Sequence, residues 1–579
     1  MDPAADATVP PGLRDARPAH EQRRRAATLC RIAPTVMLAL AVSAGVAVRL
    51  ALWWQDRAFW RDELALVQSL DAYPTGRLLG PLADAQSAPP LWLLLVRAVS
   101  LVAGDGERAY RLVSLGCGCA TLVAMALVSA RMMRHRWAAV VPLVLVATIS
   151  DLVFYTAQTK PYTTDTLAVT WLLLLSILLL RGDRGGREGG RRVELAWYAS
   201  LMLLPWLSYG AMLTAPFAAG WVAVVQLRRG THTVGWLASR LTGPAVSVAG
   251  AALLAHSVTS QVDDFTAYWA AFLGPVGRAG GWWSWTGFVA RDLALHELGF
   301  PLWWAALLLV VAGLVVAVRR QPATGVVLAL PVVAAYTAGV LGVYPFGRRL
   351  AEYCVPGMLV YLGVLVDAGA GWLGSRVARV GAHRPSDPRT SGFVVLVGVA
   401  ASALVLTVGW TRPLRLAHDL HYLYGVDDYR GALAYVAANW RAGDVLVVGQ
   451  GDRVAVRVYA PRLHLDLRRA YQAVPSLDTT ARRRCALPAE LSTARRTWVV
   501  TDDVVPLYPG RASRSAIVAP LLPEFRPLWH RDRGLVTVQL LERGQTPNAP
   551  AARCLGYASV GRAGDPKVPP TLLVRHSRS

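Results

Sequence analysis

Two adjacent carboxylates, Asp62 and Glu63, follow a Trp-Arg pair soon after the first long apolar segment of the chain. A carboxylate beside a membrane surface can take the proton from an acceptor hydroxyl as that oxygen attacks an anomeric carbon. The pair can also be explained structurally, because Asp favours helix starts and Glu favours the positive end of the helix dipole. Both explanations stay open, and Asp62 is our first candidate for a catalytic base.

Two neighbouring arginines, Arg348 and Arg349, precede a later apolar segment and form the second candidate group. A guanidinium can hold a phosphate through two parallel hydrogen bonds and stabilise the charge that builds on a leaving phosphate. Tyr353 and Lys160 are candidate helpers at this phosphate site. The alternative is that the two arginines only anchor a helix among lipid headgroups.

Further candidates for a substrate cleft stand near the ends of apolar segments. Tyr162 and Asp165 begin one such segment, where ionisable groups are costly unless they are used or paired. Trp282 and Trp283 could stack on a sugar or an isoprenoid chain, but tryptophans also mark bilayer interfaces. No metal motif is present, because His296-Glu297 lacks the ligand spacing. No cofactor is predicted, and dependence on a divalent metal stays open.

The elements that must position these residues are membrane helices. The chain has 579 residues, of which 54% are hydrophobic, and apolar runs recur from about position 33 to position 411. Their length matches the roughly 20 residues that a helix needs to cross a bilayer. The net charge of +23 is carried almost wholly by arginine, which gathers in cytoplasmic loops and attracts anionic lipid. Membrane lipid is therefore an expected partner, and nucleic acid is not.

The hydropathy pattern predicts an all-α polytopic membrane domain with about 11–13 transmembrane helices. The candidate spans are 33–54, 108–130, 137–155, 162–180, 194–208, 211–227, 234–256, 300–318, 323–343, 351–373 and 391–411. Segment 88–103 is shorter and carries Arg97. One prediction is that it forms a re-entrant or surface-lying helix. The other is that it crosses the membrane and that the rule placing arginine-rich loops inside fails at one loop.

The basic loops predict which side each segment faces. Arginine-rich loops belong inside, which places segments 55–87, 155–161, 257–299 and 344–350 outside together. This orientation requires residues 193–227 to form two short helices that meet near Ser208 to Gly210. The candidate site would then lie on the extracytoplasmic face of a multi-pass cell-membrane protein.

The last span would place the C-terminal region outside as well. We predict four parts: a cytoplasmic basic segment 1–32, a membrane catalytic domain 33–411, a small extracytoplasmic α/β domain 412–545 and a flexible tail 546–579. The α/β prediction rests on one helical stretch and three strand-like runs, namely 429–440, 445–448, 498–501 and 535–541. Cys485 and Cys554 lie in this region and would be free to form a disulfide there.

The order of several short motifs resembles a known family. After Asp62-Glu63 come Gln86-Ser87-Ala88-Pro89-Pro90, Glu107-Arg108-Ala109-Tyr110-Arg111, the segment Tyr155 to Asp165 and the segment Tyr344 to Pro356. Together they resemble the membrane glycosyltransferases with a GT-C fold. The resemblance is to the family of the protein O-mannosyltransferases, the aminoarabinose transferases and the rhizobial lipopolysaccharide glycosyltransferases, and it covers roughly residues 33–360.

The resemblance implies a hexosyl- or pentosyltransferase whose donor is a sugar on a polyprenyl phosphate. It implies that Asp62 is the base, that Glu63 supports it, and that a single displacement inverts the anomeric centre. The expected acceptor is a cell-envelope glycan, a glycolipid or a protein. Ala88 replaces a histidine of many relatives, and Gln158 replaces a frequent glutamate, so the acceptor and the metal requirement stay open.

Two other classes of function were weighed against a transferase. A transporter or flippase of lipid-linked sugars would also need many spans and basic groups, but it should show internal repeats and spans broken near the membrane midplane. No clear repeat is present, and the candidate charges cluster at span ends. A non-catalytic envelope-assembly protein would explain the polar C-terminal region but not the order of the motifs.

Overall fold

The computed structural model describes most of the helical part of the chain and the main elements of the C-terminal region. The described residues are 16–182, 186–259, 269–275, 281–380, 428–449, 452–474, 489–502, 521, 525–533, 536–543 and 556–559. Cys485, Cys554 and the candidate span 391–411 lie outside these residues.

Helices make up the described part of the chain up to residue 380. They are α1 (Ala16–Trp54), α2 (Arg61–Ala72), α3 (Pro90–Ala103), α4 (Glu107–Tyr110), α5 (Leu112–Met132), α6 (Val140–Thr148), α7 (Ser150–Phe154), α8 (Tyr162–Arg181), α9 (Gly186–Leu207), α10 (Tyr209–Arg228), α11 (Val234–Thr259), α12 (Gly281–Asp292), α13 (Trp303–Arg320), α14 (Pro322–Val327), α15 (Leu330–Val340) and α16 (Val355–Val380). This region also contains a π-helical turn at Leu293–Glu297 and several 3₁₀ turns, one of them at Arg348–Cys354.

Eight stretches of the described residues are long and apolar enough to cross a membrane, and a bent pair of helices gives a ninth. The eight are 32–54, 112–132, 162–181, 209–228, 234–259, 303–320, 322–340 and 348–372. The bent pair, 136–148 with 150–157, turns by 66°. This confirms the predicted multi-pass helical domain.

Two local predictions about the helices can be compared with the structure. Helices α9 and α10 break at Ser208, as the charge pattern of the loops required. The segment 88–103 forms α3, whose 14 residues reach only about 21 Å at 1.5 Å per residue. A bilayer core is about 30 Å thick, so α3 is too short for a simple crossing.

The C-terminal region folds as a small α/β domain, as predicted. Six strands among its described residues form one sheet in the order β4-β5-β3-β1-β2-β6, with β1 parallel to both of its neighbours. The strands are β1 (445–448), β2 (470–474), β3 (496–502), β4 (525–533), β5 (536–543) and β6 (556–559), and the helices are α17 (Tyr429–Ala438), α18 (Arg453–Arg462) and α19 (Ala489–Thr493). Strand β6 lies beyond residue 545, where we had ended the domain.

Two hydrophobic clusters account for most of the core. One joins the membrane helices from α5 to α16. The other joins side chains of α2 and α3 to those of the C-terminal domain, including Leu66, Trp92, Tyr459 and Trp498. The C-terminal domain therefore packs on the loop between α1 and α3, on the side of the helix bundle that carries Asp62.

Candidate active site

The first turn of α2 is held by Glu63 rather than by Asp62. Glu63 accepts hydrogen bonds from the backbone N–H of Trp60 at 3.2 Å and of Thr159 at 2.7 Å. Its two oxygens also receive Arg111, with Nε at 2.9 Å and Nη2 at 2.7 Å. Because the Glu63 side chain is only 1% exposed, it serves as a buried anchor. The structure thus places Glu63 in the scaffold of the site, although we had grouped it with the catalytic base.

Asp62 instead interacts with the loop that carries Arg348 and Arg349. Its Oδ2 lies 2.7 Å from Nη2 of Arg349, and the Asp62 side chain is 18% exposed. The helix begins at Arg61 and Glu63 makes the reciprocal cap contact, so helix capping does not explain Asp62. The candidate base and one candidate phosphate clamp are direct neighbours.

Lys160 belongs to the same cluster of charges. It is buried, and its Nζ donates to Oε1 of Gln86 at 2.8 Å. Burial lowers the pKa of Lys160 to about 8, with the positive charge of Arg349 acting in the same direction and the negative charges of Asp62 and Glu63 against it. Lys160 therefore carries most of a positive charge near neutral pH and loses it in the mildly alkaline range.

The electrostatic environment keeps Asp62 ionised. Burial by itself raises the pKa of a carboxyl group, but the positive charges of Arg349, Lys160 and Arg61 outweigh that effect here. The pKa of Asp62 is consequently held below its ordinary value. At neutral pH Asp62 is a carboxylate that can accept a proton.

Aromatic rings surround the guanidinium of Arg349. The ring centroids of Trp60, Tyr162 and Trp269 each lie 5.8 Å from its Cζ. Rings at this distance attract a cation and restrict where its side chain can point. The structure therefore brings Tyr162 and Trp269 together around Arg349.

The two arginines of the loop have different partners. Arg348 adopts a left-handed backbone conformation with φ of 51° and pairs through Nε with Oδ1 of Asp292 at 3.2 Å. Its backbone N–H also donates to Oδ2 of Asp292 at 2.9 Å. This turn directs Arg349, and not Arg348, toward Asp62.

Tyr353 and Asp165 lie in the packing behind the site. A Cβ atom on Gly210 would come within 2.7 Å of the Tyr353 ring, so the absence of a side chain there lets the two helices approach. Asp165 accepts from the Ser208 hydroxyl at 2.6 Å and from the Gly210 N–H at 3.3 Å. These contacts join α8 to the break between α9 and α10 and indicate structural roles for both residues.

The predicted tryptophan pair points elsewhere. Trp283 is 81% exposed on α12, and Trp282 packs edge-on against Tyr336 with centroids 5.8 Å apart. The buried tryptophan of the same helix is Trp285. The structure thus assigns Trp282 and Trp283 to the outer surface of the helix bundle rather than to the aromatic surround of Arg349.

Arg111 and Gln86 also lie at the site, and the sequence does not identify them as site residues. Both residues lie within the short motifs of the sequence. However, Arg111 pairs with Glu63 and Gln86 pairs with Lys160, and these contacts join distant segments that the order of the motifs does not connect. Within the described residues, no group of three or more His, Cys, Asp and Glu side chains is arranged to hold a metal ion.

The arrangement can support a transfer between a hydroxyl and a phosphate-linked carbon. A carboxylate that is ionised at neutral pH can take a proton, while an adjacent guanidinium and a partly charged ammonium can bind an anion. Because one side of this cluster is made by a loop between helices, it lies at the end of the helix bundle rather than near its middle.

No protein-family model matches the chain, and no curated protein matches it in sequence. Among solved structures, it is similar to ArnT from Cupriavidus metallidurans bound to undecaprenyl phosphate, with 15% identity over 86% of this chain and 97% of that chain and a TM-score of 0.49. It is also similar to the oligosaccharyltransferase AglB from Archaeoglobus fulgidus in complex with an inhibitory peptide and a dolichol-phosphate, with 11% identity over 92% of this chain and 77% of that chain and a TM-score of 0.48. These likenesses assign no substrate and no residue role to this chain.

Proposed function

We propose that this protein is a membrane glycosyltransferase that moves a sugar from a polyprenyl-phosphate donor to an extracytoplasmic acceptor. The observation that carries the proposal is the direct contact between the Asp62 carboxylate and the Arg349 guanidinium, 2.7 Å apart. It brings together the base that the motif resemblance implies and the phosphate clamp that guanidinium chemistry suggests. The acceptor class is a cell-envelope glycan, a lipid-linked glycan or a protein.

In the proposed reaction, Asp62 takes the proton of an acceptor hydroxyl as that oxygen attacks the anomeric carbon of the donor. The bond between the anomeric carbon and the phosphate oxygen breaks at the same time, so the configuration at that carbon inverts. The leaving group is the polyprenyl phosphate, which gains a negative charge. Arg349 and Lys160 stabilise that charge, which is greater in the transition state than in the bound donor.

The ion pair between Arg349 and Asp62 also fits a binding order. Arg349 must exchange part of its contact with Asp62 for contact with a donor phosphate. The carboxylate then faces fewer positive contacts and becomes a stronger base when the donor is present. Donor binding would thus prepare the base for the acceptor.

The test is transfer of radiolabelled sugar from a panel of polyprenyl-phosphate donors to envelope glycan fragments by purified protein. Wild type should transfer one sugar, and Asp62→Asn should lose roughly 10²- to 10⁴-fold in kcat, the usual contribution of a general base. Asp105→Asn, which changes an exposed aspartate after α3, is the matched control.

The outcomes separate the transferase from its rival. Full activity of Asp62→Asn would reject Asp62 as the base. Donor that crosses liposome membranes unchanged, with no transfer to any acceptor, would favour a flippase. The side of the membrane is tested separately by reporter fusions after Trp54 and Trp410, where a cytoplasmic C-terminal region would contradict the proposed orientation.

A further inference from the structure

The C-terminal domain does more than share a surface with the membrane domain. Side chains of α2, such as Leu64 and Leu66, belong to the same hydrophobic cluster as Tyr459 and Val454 of α18. All four are less than 5% exposed. The helix that carries Asp62 is thus packed partly inside the core of the C-terminal domain.

One polar contact of this interface reaches the residue next to Asp62. Nη2 of Arg61 lies 3.3 Å from Oδ1 of Asp452, and the hydroxyl of Tyr429 donates to the same oxygen at 2.8 Å. The Asp452 side chain is 4% exposed, so this ion pair is shielded from solvent and salt. It draws the Arg61 side chain toward the C-terminal domain.

A second contact holds the backbone just before the Asp62 turn. The N–H of Phe59 donates to the hydroxyl oxygen of Tyr459 at 2.8 Å, and that hydroxyl donates to Oε1 of Glu107 at 2.9 Å. The rings of Phe59 and Tyr459 also stack, with centroids 6.3 Å apart. The C-terminal domain therefore fixes the chain on both sides of Trp60.

Other ion pairs attach the same domain at a distance from Asp62. Arg462 pairs with Asp71 near the far end of α2 at 2.8 Å, and Arg453 pairs with Asp84 beyond α2. Neither pair contacts the segment from Phe59 to Glu63 through these groups. The interface thus contains contacts that can position Asp62 and contacts that only attach the domain, and the two kinds can be tested against each other.

We propose that Asp452 and Tyr459 of the C-terminal domain are positioning residues for the Asp62 carboxylate. Asp452 fixes the direction of the Arg61 side chain next to Asp62, and Tyr459 fixes the start of the turn. Glu63 and Arg111 hold the other side of the turn from the membrane domain. The inference rests on the proposed function, because it treats Asp62 as the base, and it makes the C-terminal domain a part of the catalytic apparatus.

The proposal is tested by comparing Asp452→Asn with Arg462→Gln in the full-length protein. Each variant removes one ion pair from the same interface, but only the first contacts the residue next to Asp62. We expect Asp452→Asn to lower kcat about tenfold with little change in donor KM, since small displacements of reacting groups act on the chemical step. Arg462→Gln should keep both constants. Equal kcat values in the two variants would overturn the proposal.

A double variant tests whether Asp452 acts through Arg61. Arg61→Gln and Asp452→Asn break the same ion pair, so their combination should lower kcat no more than Asp452→Asn alone. Losses that simply multiply would show that Asp452 does not act through Arg61. They would contradict the proposed role of Asp452.

Hydrogen exchange provides a measurement that does not depend on transfer activity. Tyr459→Phe removes the acceptor of the Phe59 N–H, so exchange in residues 59–66 should accelerate severalfold, while Arg462→Gln leaves it unchanged. Unchanged exchange in Tyr459→Phe would overturn the coupling between the domain and this turn. If wild type transfers no sugar from any donor, the proposed function fails, and this measurement still decides whether the C-terminal domain holds the turn.

Discussion

The Asp62 carboxylate lies 2.7 Å from the Arg349 guanidinium, and neither side chain is closed off, with 18% and 20% of their surfaces exposed. By contrast, the neighbouring carboxylate of Glu63 is 1% exposed and is occupied by Arg111. These two adjacent acids of one helical turn therefore have different roles. Asp62 remains accessible to substrates, and Glu63 fixes the turn that presents it.

Arg349 is expected to control the use of the donor. Replacing Arg349 with Gln should lower kcat/KM for the donor roughly 10- to 100-fold, because a hydrogen bond to a charged group contributes about 1.5–3 kcal/mol. Arg349→Lys should recover only part of this loss, since an ammonium cannot bind phosphate through a planar pair of donors. Steady-state kinetics with varied donor measures the effect. A Lys variant equal to wild type would argue against bidentate phosphate binding.

Lys160 should give donor binding a pH dependence. Its pKa of about 8 means that the side chain is charged below that pH and neutral above it. Donor KM should therefore rise as the pH increases through about 8, while Asp62, with its lowered pKa, stays ionised throughout. In Lys160→Arg the rise should disappear, because arginine keeps its charge. A wild-type KM that is constant between pH 7 and 9 would contradict the assignment of Lys160 to the donor phosphate.

The sequence indicated the proposed base and the proposed clamp because both stand in short charged motifs next to apolar segments. It could not choose between Arg348 and Arg349, since the choice depends on the left-handed turn at Arg348 and its contact with Asp292. The sequence also does not show side-chain direction, and the structure places Trp282 and Trp283 on the outer face of α12 while Trp269 reaches Arg349.

The C-terminal sheet likewise contains strands that the sequence predicted and strands that it did not. The apolar strand β1 was predicted, because a central parallel strand is buried on both faces and reads as a continuous hydrophobic run. Strand β4 has the sequence FRPLWHRDR and was not predicted, because its charged residues interrupt the alternation of polar and apolar residues that indicates a strand. Strand β6 is only four residues long and pairs with β2 from far along the chain. Such pairings depend on tertiary contacts that local patterns do not contain.

The aromatic surround of Arg349 leads to a paired comparison of tryptophans. Trp269→Ala should lower donor kcat/KM several-fold, because the ring 5.8 Å from the Arg349 Cζ restricts its side chain. Trp283→Ala should leave the kinetics unchanged, since that ring is 81% exposed on α12. The measurement is donor kinetics on both variants at matched folding. A larger loss in Trp283→Ala than in Trp269→Ala would instead place the substrate cleft beside Trp283, as the sequence suggested.

Glu63 should affect stability more than chemistry. Glu63→Gln leaves the buried Arg111 guanidinium, whose side chain is 4% exposed, without its balancing charge. Removing one partner of a buried ion pair typically costs about 3–5 kcal/mol, so the midpoint of thermal unfolding in detergent should fall clearly. Asp62→Asn is the matched control at the next residue and should lose transfer while unfolding near the wild-type temperature. If Glu63→Gln kept its stability and lost transfer as completely as Asp62→Asn, Glu63 would act in the chemistry and not as the anchor of the turn.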